Sequence, residues 1–160
     1  MVDSLDKLDR KILRELQING RISNVELAKR VGLSPTPCLS RVKRLEQINC
    51  IEHYTVRINP DYVDAKLLVF VEMRLDRTSR NVFSNFRKEV RKLPEIMECH
   101  LVSGDFDYLL KARVKDMEAY RQLLGETLLS LPHVNSTRTY MVMEEVKETE
   151  IIPIPEPNEV

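Results

Sequence analysis

The chain has 160 residues, of which 42% are hydrophobic and 31% charged, with 25 basic side chains against 25 acidic ones. This is ordinary globular composition, enough for one average domain or two small ones. It excludes a uniformly basic nucleic-acid binder and a supercharged disordered chain.

Further classes fall away on local grounds. No apolar run approaches the roughly 18 residues of a membrane span. The start, Met1-Val2-Asp3-Ser4-Leu5-Asp6, has neither the basic nor the apolar region of a signal peptide, so a cytoplasmic protein is expected. The cysteines, Cys38, Cys50 and Cys99, show no CxxC spacing and read as reduced thiols. Four glycines, at 20, 32, 104 and 125, cannot build a GxGxxG turn or a P-loop. The zero net charge hides a split: residues 1–60 carry 11 basic and 7 acidic side chains, and residues 61–160 carry 14 and 18. Between Leu27 and Leu45 five basic residues occur and no acidic one.

The first helix is expected to begin at Asp6, with Asp9 three residues on and Leu8, Ile12, Leu13 and Leu16 as its stripe. Asn19-Gly20 closes it. Ser23-Asn24-Val25-Glu26 predicts a capping box for a second helix, which ends at Gly32. Ser34 as cap and Pro35 in the first turn start a third, running to about Ile48, with Asn49 as a left-handed cap. Residues 51–58 alternate and read as a strand. Beyond Asn59-Pro60-Asp61 the order is strand 67–75, helix 79–93, strand 96–103, strand 106–114, helix 116–131 and strand 135–146. The tail after Val146 holds Pro153, Pro155 and Pro157 and reads as extended or disordered. The fold class is α+β: a helix-turn-helix domain of winged-helix type over 1–60 (motif about 24–43), a ferredoxin-like βαββαβ domain over 61–147, and a tail over 148–160.

Two short helices meeting at Ala28 and Gly32 suggest a DNA-binding helix-turn-helix. At 100° per residue the third helix puts Cys38, Val42 and Leu45 on one side and Thr36, Pro37, Ser40, Arg44 and Gln47 on the other, with Arg41 and Lys43 on the shoulders. Ser34, Thr36, Pro37, Ser40, Arg41, Lys43 and Arg44 are the candidate DNA contacts: short polar groups near base edges, cations near phosphates. In the second domain Val69, Val71, Met73, Met97, Cys99, Leu101, Tyr108, Leu110 and Ala112, with Thr137, Thr139 and Met141, should face the helices. Glu72, Arg74, Glu98, His100, Lys111, Arg113, Arg138 and Tyr140 should face away, on a surface suited to pairing with a symmetry mate. Cys99 and His100 point to opposite faces and cannot share an ion, so no metal is expected. No nucleophile–base pair or HExxH is present, which leaves an enzyme without machinery.

Three segments carry a resemblance: GRISNVELAKRVGLSPTPCLSRVKRLE (20–46), ECHLVSGDFDYLLK (98–111) and RTYMVMEEVK (138–147). The chain resembles the Lrp/AsnC family of transcription regulators from about Leu5 to Lys147. The resemblance implies sequence-specific DNA binding, homodimers that assemble further, commonly to octamers, and a small effector, usually an amino acid such as leucine. It places the effector site around Gly104-Asp105-Phe106-Asp107. Asp105 or Asp107 would take the ammonium and backbone N–H groups near Gly104 the carboxylate. Leu101, Met117, Tyr140 and Val142 complete the candidate set. Asn49 and His53 stand where the family often has glycine, and Ser40 where a longer polar side chain is common.

Overall fold

A computed structural model describes residues 4–76 and 81–155. The chain divides into two compact units: Met1–Arg57 with Lys147–Val160, and Ile58–Val146. The cut falls slightly before position 60, and the tail is grouped with the helices.

In the first unit α1 (Lys7–Ile18), α2 (Asn24–Val31) and α3 (Pro35–Gln47) follow the sequence periods closely. Ile12, Leu27, Ala28, Val31, Cys38 and Leu45 form a buried core, flanked by Leu5, Leu13, Leu16, Ile22, Leu33, Val42 and Ile51. The capping chemistry differs in detail. At α1 the reciprocal box is complete: the Asp9 N–H donates to Asp6 Oδ1 at 2.8 Å and the Asp6 N–H to Asp9 Oδ2 at 3.1 Å. At α2 only half forms. Ser23 Oγ accepts the Glu26 N–H at 3.2 Å, while the Glu26 carboxylate takes Arg30 Nε at 3.0 Å, the ion pair one turn on. Ser34 has cap-like backbone angles but its hydroxyl makes no cap hydrogen bond. Instead Asn24 Nδ2 donates to the Pro35 carbonyl at 2.8 Å, tying the starts of α2 and α3. Asn49 is left-handed, φ 56°.

Residues 52–59 form no strand. The alternation is present, but a strand needs a ladder partner, and none pairs with this segment among the described residues. Tyr54, Val56 and Ile58 stay exposed. The tail, by contrast, has partners on α1. Arg14 donates from two nitrogens to the Ile154 carbonyl, at 3.1 and 2.8 Å. Gln17 exchanges bonds with the backbone of Ile152, at 3.0 and 2.7 Å. Pro153 and Pro155 deny this stretch a helix, and α1 side chains satisfy its carbonyls.

The second unit is a four-stranded antiparallel sheet in the order β2-β3-β1-β4, from β1 (Leu67–Leu75), β2 (Ile96–Leu101), β3 (Tyr108–Val114) and β4 (Val134–Met141). That is the ferredoxin-like arrangement. Helix α4 (Val82–Val90) covers it with Val82, Phe86 and Val90 buried; residues 79 and 80 of the expected helix lie outside the described residues. Helix α5 (Met117–Gln122) does not run unbroken to 131. It passes into a π turn at Leu123–Thr127 and a 3-10 turn at Leu128–Ser130. Gly125, the weakest helix former in that stretch, sits at the centre of the π turn. Val69, Val71, Met73, Tyr108, Leu110 and Ala112 are buried as expected. Strand β2 departs from strict alternation: the register with β3 shifts between Ile96 and Glu98. The shift turns Ile96 and Cys99 toward the core. It leaves Met97 at 53% exposure; Leu101, paired with Tyr108 on the same face as Cys99, keeps the expected side but is 60% exposed at the strand's end, so neither is a core residue. Met141, at the end of β4, is also exposed.

Gly32 ends α2 at φ 76°, and a Cβ there would meet no atom within 4 Å. The penalty of a side chain is therefore backbone strain alone. Gly32→Ala is expected to lower unfolding stability by about 1–2 kcal/mol in urea denaturation of the full chain; an unchanged midpoint contradicts this.

Candidate nucleic-acid interface

The outward side of α3 carries Ser34, Thr36, Pro37, Ser40 and Lys43, all exposed, while Arg41 and Arg44 are half-buried. The half-burial has a cause the sequence reading did not include. Asp9 is 1% exposed. It holds both arginines: Arg41 NH1 donates to Asp9 Oδ1 at 2.8 Å and Arg44 NH2 to Asp9 Oδ2 at 2.5 Å. Arg41 NH1 also reaches Asp6 Oδ2 at 2.6 Å. All four carboxylate oxygens are engaged: Asp6 Oδ2 and Asp9 Oδ1 by Arg41, Asp6 Oδ1 by a capping N–H, and Asp9 Oδ2 by both Arg44 and a capping N–H. The Asp9 N–H, with Arg41 beside it, holds the Asp6 carboxyl below its ordinary value. The bonds to Asp6 and Asp9 raise the Arg41 guanidinium further.

A groove of about 610 Å³ opens over this cluster, lined by Ser4, Asp6, Asp9, Pro37, Ser40, Arg41 and Arg44. Two carboxylates and two guanidiniums make the cluster neutral. Of the five cations between 27 and 45, Arg30, Arg41 and Arg44 are ion-paired. Lys29 and Lys43 are exposed and have no ion pair among the described residues. The free charge of this face is smaller than the residue count implies. Each guanidinium has five N–H donors, however, and the anchoring uses only part of them, so an arginine can stay on Asp9 and still donate outward.

Asp9 lies on its helix's own apolar stripe, at i before Ile12 (i+3), Leu13 (i+4) and Leu16 (i+7). That acid on a buried face is the signal by which its second role was discoverable.

In the second unit the candidate effector residues divide. Asp105 is exposed and lines a cleft of about 540 Å³ with Glu72, Arg74, Phe106, Ser136, Thr137 and Arg138. Tyr140 joins it indirectly, its hydroxyl donating to Glu72 Oε1 at 2.8 Å. Gly104 sits at the turn with φ 155°. Asp107 is not displayed at the tip: it is 5% exposed, and its Oδ2 accepts the Leu75 N–H at 2.8 Å. The Asp107 N–H also bonds the Met73 carbonyl at 2.9 Å, so this residue finishes the end of β1. Leu101 and Met117 are exposed and Val142 is half-buried; none of the three lines that cleft. Glu72, Arg74, Ser136, Thr137 and Arg138 line the cleft without being effector candidates from the sequence, although alternation puts Glu72, Arg74 and Arg138 on the open sheet face. On that face Glu98 accepts from Lys111 at 3.1 Å and pairs with His100 at 3.0 Å, and His100, then Lys111, hold its carboxyl below the usual range. Arg113 reaches Glu145 at 2.6 Å. Among the described residues no three His, Cys, Asp or Glu side chains gather to hold a metal ion, and no helix is long and apolar enough to cross a membrane.

Removing both arginines leaves Asp9 as a buried, uncompensated charge. Arg41→Ala with Arg44→Ala is therefore expected to cost about 3 kcal/mol of stability in chemical denaturation. Each single change should cost less than the pair, because the other arginine remains; a double variant as stable as the parent contradicts this.

Residues 5–46 match the AsnC-type helix-turn-helix domain and residues 68–152 the Lrp/AsnC ligand binding domain. Proteins named leucine-responsive regulatory protein, from Escherichia coli K12 and Klebsiella pneumoniae, are each 66% identical over 156 residues, covering 93% of this chain and 95% of theirs. The fold is similar to a transcriptional regulator of Neisseria meningitidis solved in complex with L-Met (TM-score 0.90, 40% identity, 94% of this chain and 97% of that one). It is also similar to Escherichia coli AsnC (TM-score 0.85, 25% identity, 94% and 99%). With both halves matched and the reading helix and ligand domain in place, the chain belongs to the Lrp/AsnC family of effector-responsive, DNA-binding transcription regulators and is not an enzyme.

Proposed function

We propose that this regulator binds leucine, or an aliphatic amino acid close to it, and couples that binding to its grip on DNA through assembly. The observation that carries the reading is the joint presence of the α3 face and the Asp105 cleft in a chain 66% identical to proteins named leucine-responsive regulatory protein.

On the DNA side, α3 enters a major groove with Ser34, Thr36, Pro37 and Ser40 toward base edges. Lys43 and the outward N–H groups of Arg41 and Arg44 take phosphates or guanine edges. Asp9 and Asp6 keep the arginines from collapsing onto other acids. On the effector side, Asp105, with Glu72 behind it, takes the ammonium; Arg74, Arg138 and backbone N–H groups near Gly104 take the carboxylate. Met117 and Val142 form the apolar part once neighbouring copies are assembled, and Tyr140 holds Glu72 in place.

The chain works as a homodimer that assembles toward an octamer. The open sheet face carries matched opposite charges that a two-fold axis can pair, and the exposed segment around Tyr54, Val56 and Ile58 gains a ladder partner from a second copy. A regulator of chromosomal DNA operates in the cytoplasm.

One experiment tests the reading: titration of duplex DNA, carrying a site selected by the protein from random sequence, at several salt concentrations with and without leucine. Affinity should fall steeply with salt. Lys43→Ala should reduce the log–log slope by about 1 for each reading helix engaged. Leucine should change affinity or assembly size. Salt-independent binding would favour a helix-turn-helix used for protein contact, and a leucine effect on neither quantity would remove leucine as the effector.

A further inference from the structure

The edge strand β2 and the C-terminal end of α4 enclose a second cleft, of about 380 Å³, distinct from the one at Asp105. Arg87 in the last turn of α4 and Arg91, its C-terminal cap residue, stand on one side of it. Both are exposed, and neither has an ion pair among the described residues. Val90, Ile96, Met97 and Leu101 supply apolar wall. Met97 falls at the register shift of β2, while Leu101 is the register partner of Tyr108 on the helix-covered side; both stay exposed.

Tyr108 completes the lining, and its hydroxyl is anomalous. The residue is 2% exposed, yet its oxygen has no hydrogen-bond partner among the described residues. Its ring is stacked on Phe86 at 4.6 Å and tilted against Phe83 at 6.1 Å. Buried polar atoms without partners are rare because they are costly. Phenylalanine would fill the same space without the cost. Arg87 is close enough for its charge to act on the phenol. Burial pushes the neighbouring Cys99 thiol up to about 11, so no thiolate opposes an anion here. The one acid at the rim, Glu98, is already engaged by Lys111 and His100.

Two unpaired guanidiniums, one buried donor, apolar walls and no free carboxylate define a ligand. It has a carboxylate, a second acceptor oxygen and a short aliphatic chain, and it lacks an ammonium. We propose that this cleft binds an aliphatic 2-oxo acid, its carboxylate on Arg87 and Arg91 and its keto oxygen accepting from the Tyr108 hydroxyl. Resting on the proposed amino-acid response, the site lets one regulator sense an aliphatic amino acid and its deaminated counterpart at separate places. The alternative role of the arginines, complementing the carbonyl end of α4, requires no ligand.

The test is calorimetric titration of the full chain with 4-methyl-2-oxopentanoate. Saturable binding is expected. Arg87→Gln with Arg91→Gln should weaken it about tenfold or more, as loss of charge-assisted bonds does. Tyr108→Phe should weaken it about threefold to tenfold, leave binding of 4-methylpentanoate, which has no keto oxygen, unchanged, and not lower the thermal midpoint. Excess leucine should not displace the oxo acid. The proposal is overturned by absence of saturable binding, by full affinity in the double arginine variant, by equal loss of both acids in Tyr108→Phe, or by displacement with leucine, which would assign the binding to the Asp105 cleft. A leucine response that fails while the oxo acid still binds leaves this site standing and removes only the amino-acid reading.

Discussion

A buried carboxylate joins the first and third helices, and the outward face of α3 depends on it. Asp9 is inside the core, where an unpaired charge costs several kcal/mol. It is tolerated because Arg41 and Arg44 both come to it and because it closes the cap of α1 through the Asp6 N–H. The same contacts fix where the arginines can be. A long cationic side chain free in solvent has many rotamers to lose on binding. Here a good part of that loss is taken during folding, and the guanidiniums are presented from a fixed anchor beside Ser40 and Pro37. The anchoring also explains why a local excess of cations does not become a large free positive field: two of them are balanced where they stand.

The second unit repeats the logic at a strand end. Among the described residues the buried acids are Asp9 and Asp107. Asp107 accepts the Leu75 N–H and so satisfies the backbone where β1 stops. An acid committed in this way is poor material for a ligand site, and the cleft beside it is lined by its neighbour Asp105. In both units a buried aspartate does structural work, and the side chains next to it remain available to solvent.

Much of this was legible in the residues. The 3.6-residue stripes, Ser23, Gly32, Pro35 and Asn49 locate three helices, because those signals act within a few residues of themselves. The period-two runs of β1 and β3 give the covered face of the sheet for the same reason. What failed to show were consequences of pairing at a distance. Residues 51–58 alternate like a strand, but alternation does not supply a partner. The register shift at Ile96/Glu98 takes Met97 off the covered face without a glycine or proline to announce it. Glu26 has the right spacing to close a cap, and competition from Arg30 decides otherwise. Arg41 and Arg44 have the right angle for a groove, and only their partner across thirty-odd residues shows that they are shared. Charge counting along the chain met the same limit: the balance of 25 against 25 and the acid-free stretch are both true of the sequence, and neither reports which charges are already spoken for.

The most direct measurement is a double-mutant cycle between Asp9→Ala and Arg44→Ala, read by urea denaturation of the full chain. The cycle subtracts the lost cap and the lost side-chain packing, and leaves the coupling between carboxylate and guanidinium. Anchoring of the reading helix by a buried acid predicts a coupling of about 1–3 kcal/mol. Additive single effects, within about 0.3–0.5 kcal/mol, would show that Asp9 and Arg44 do not depend on each other and would contradict the account.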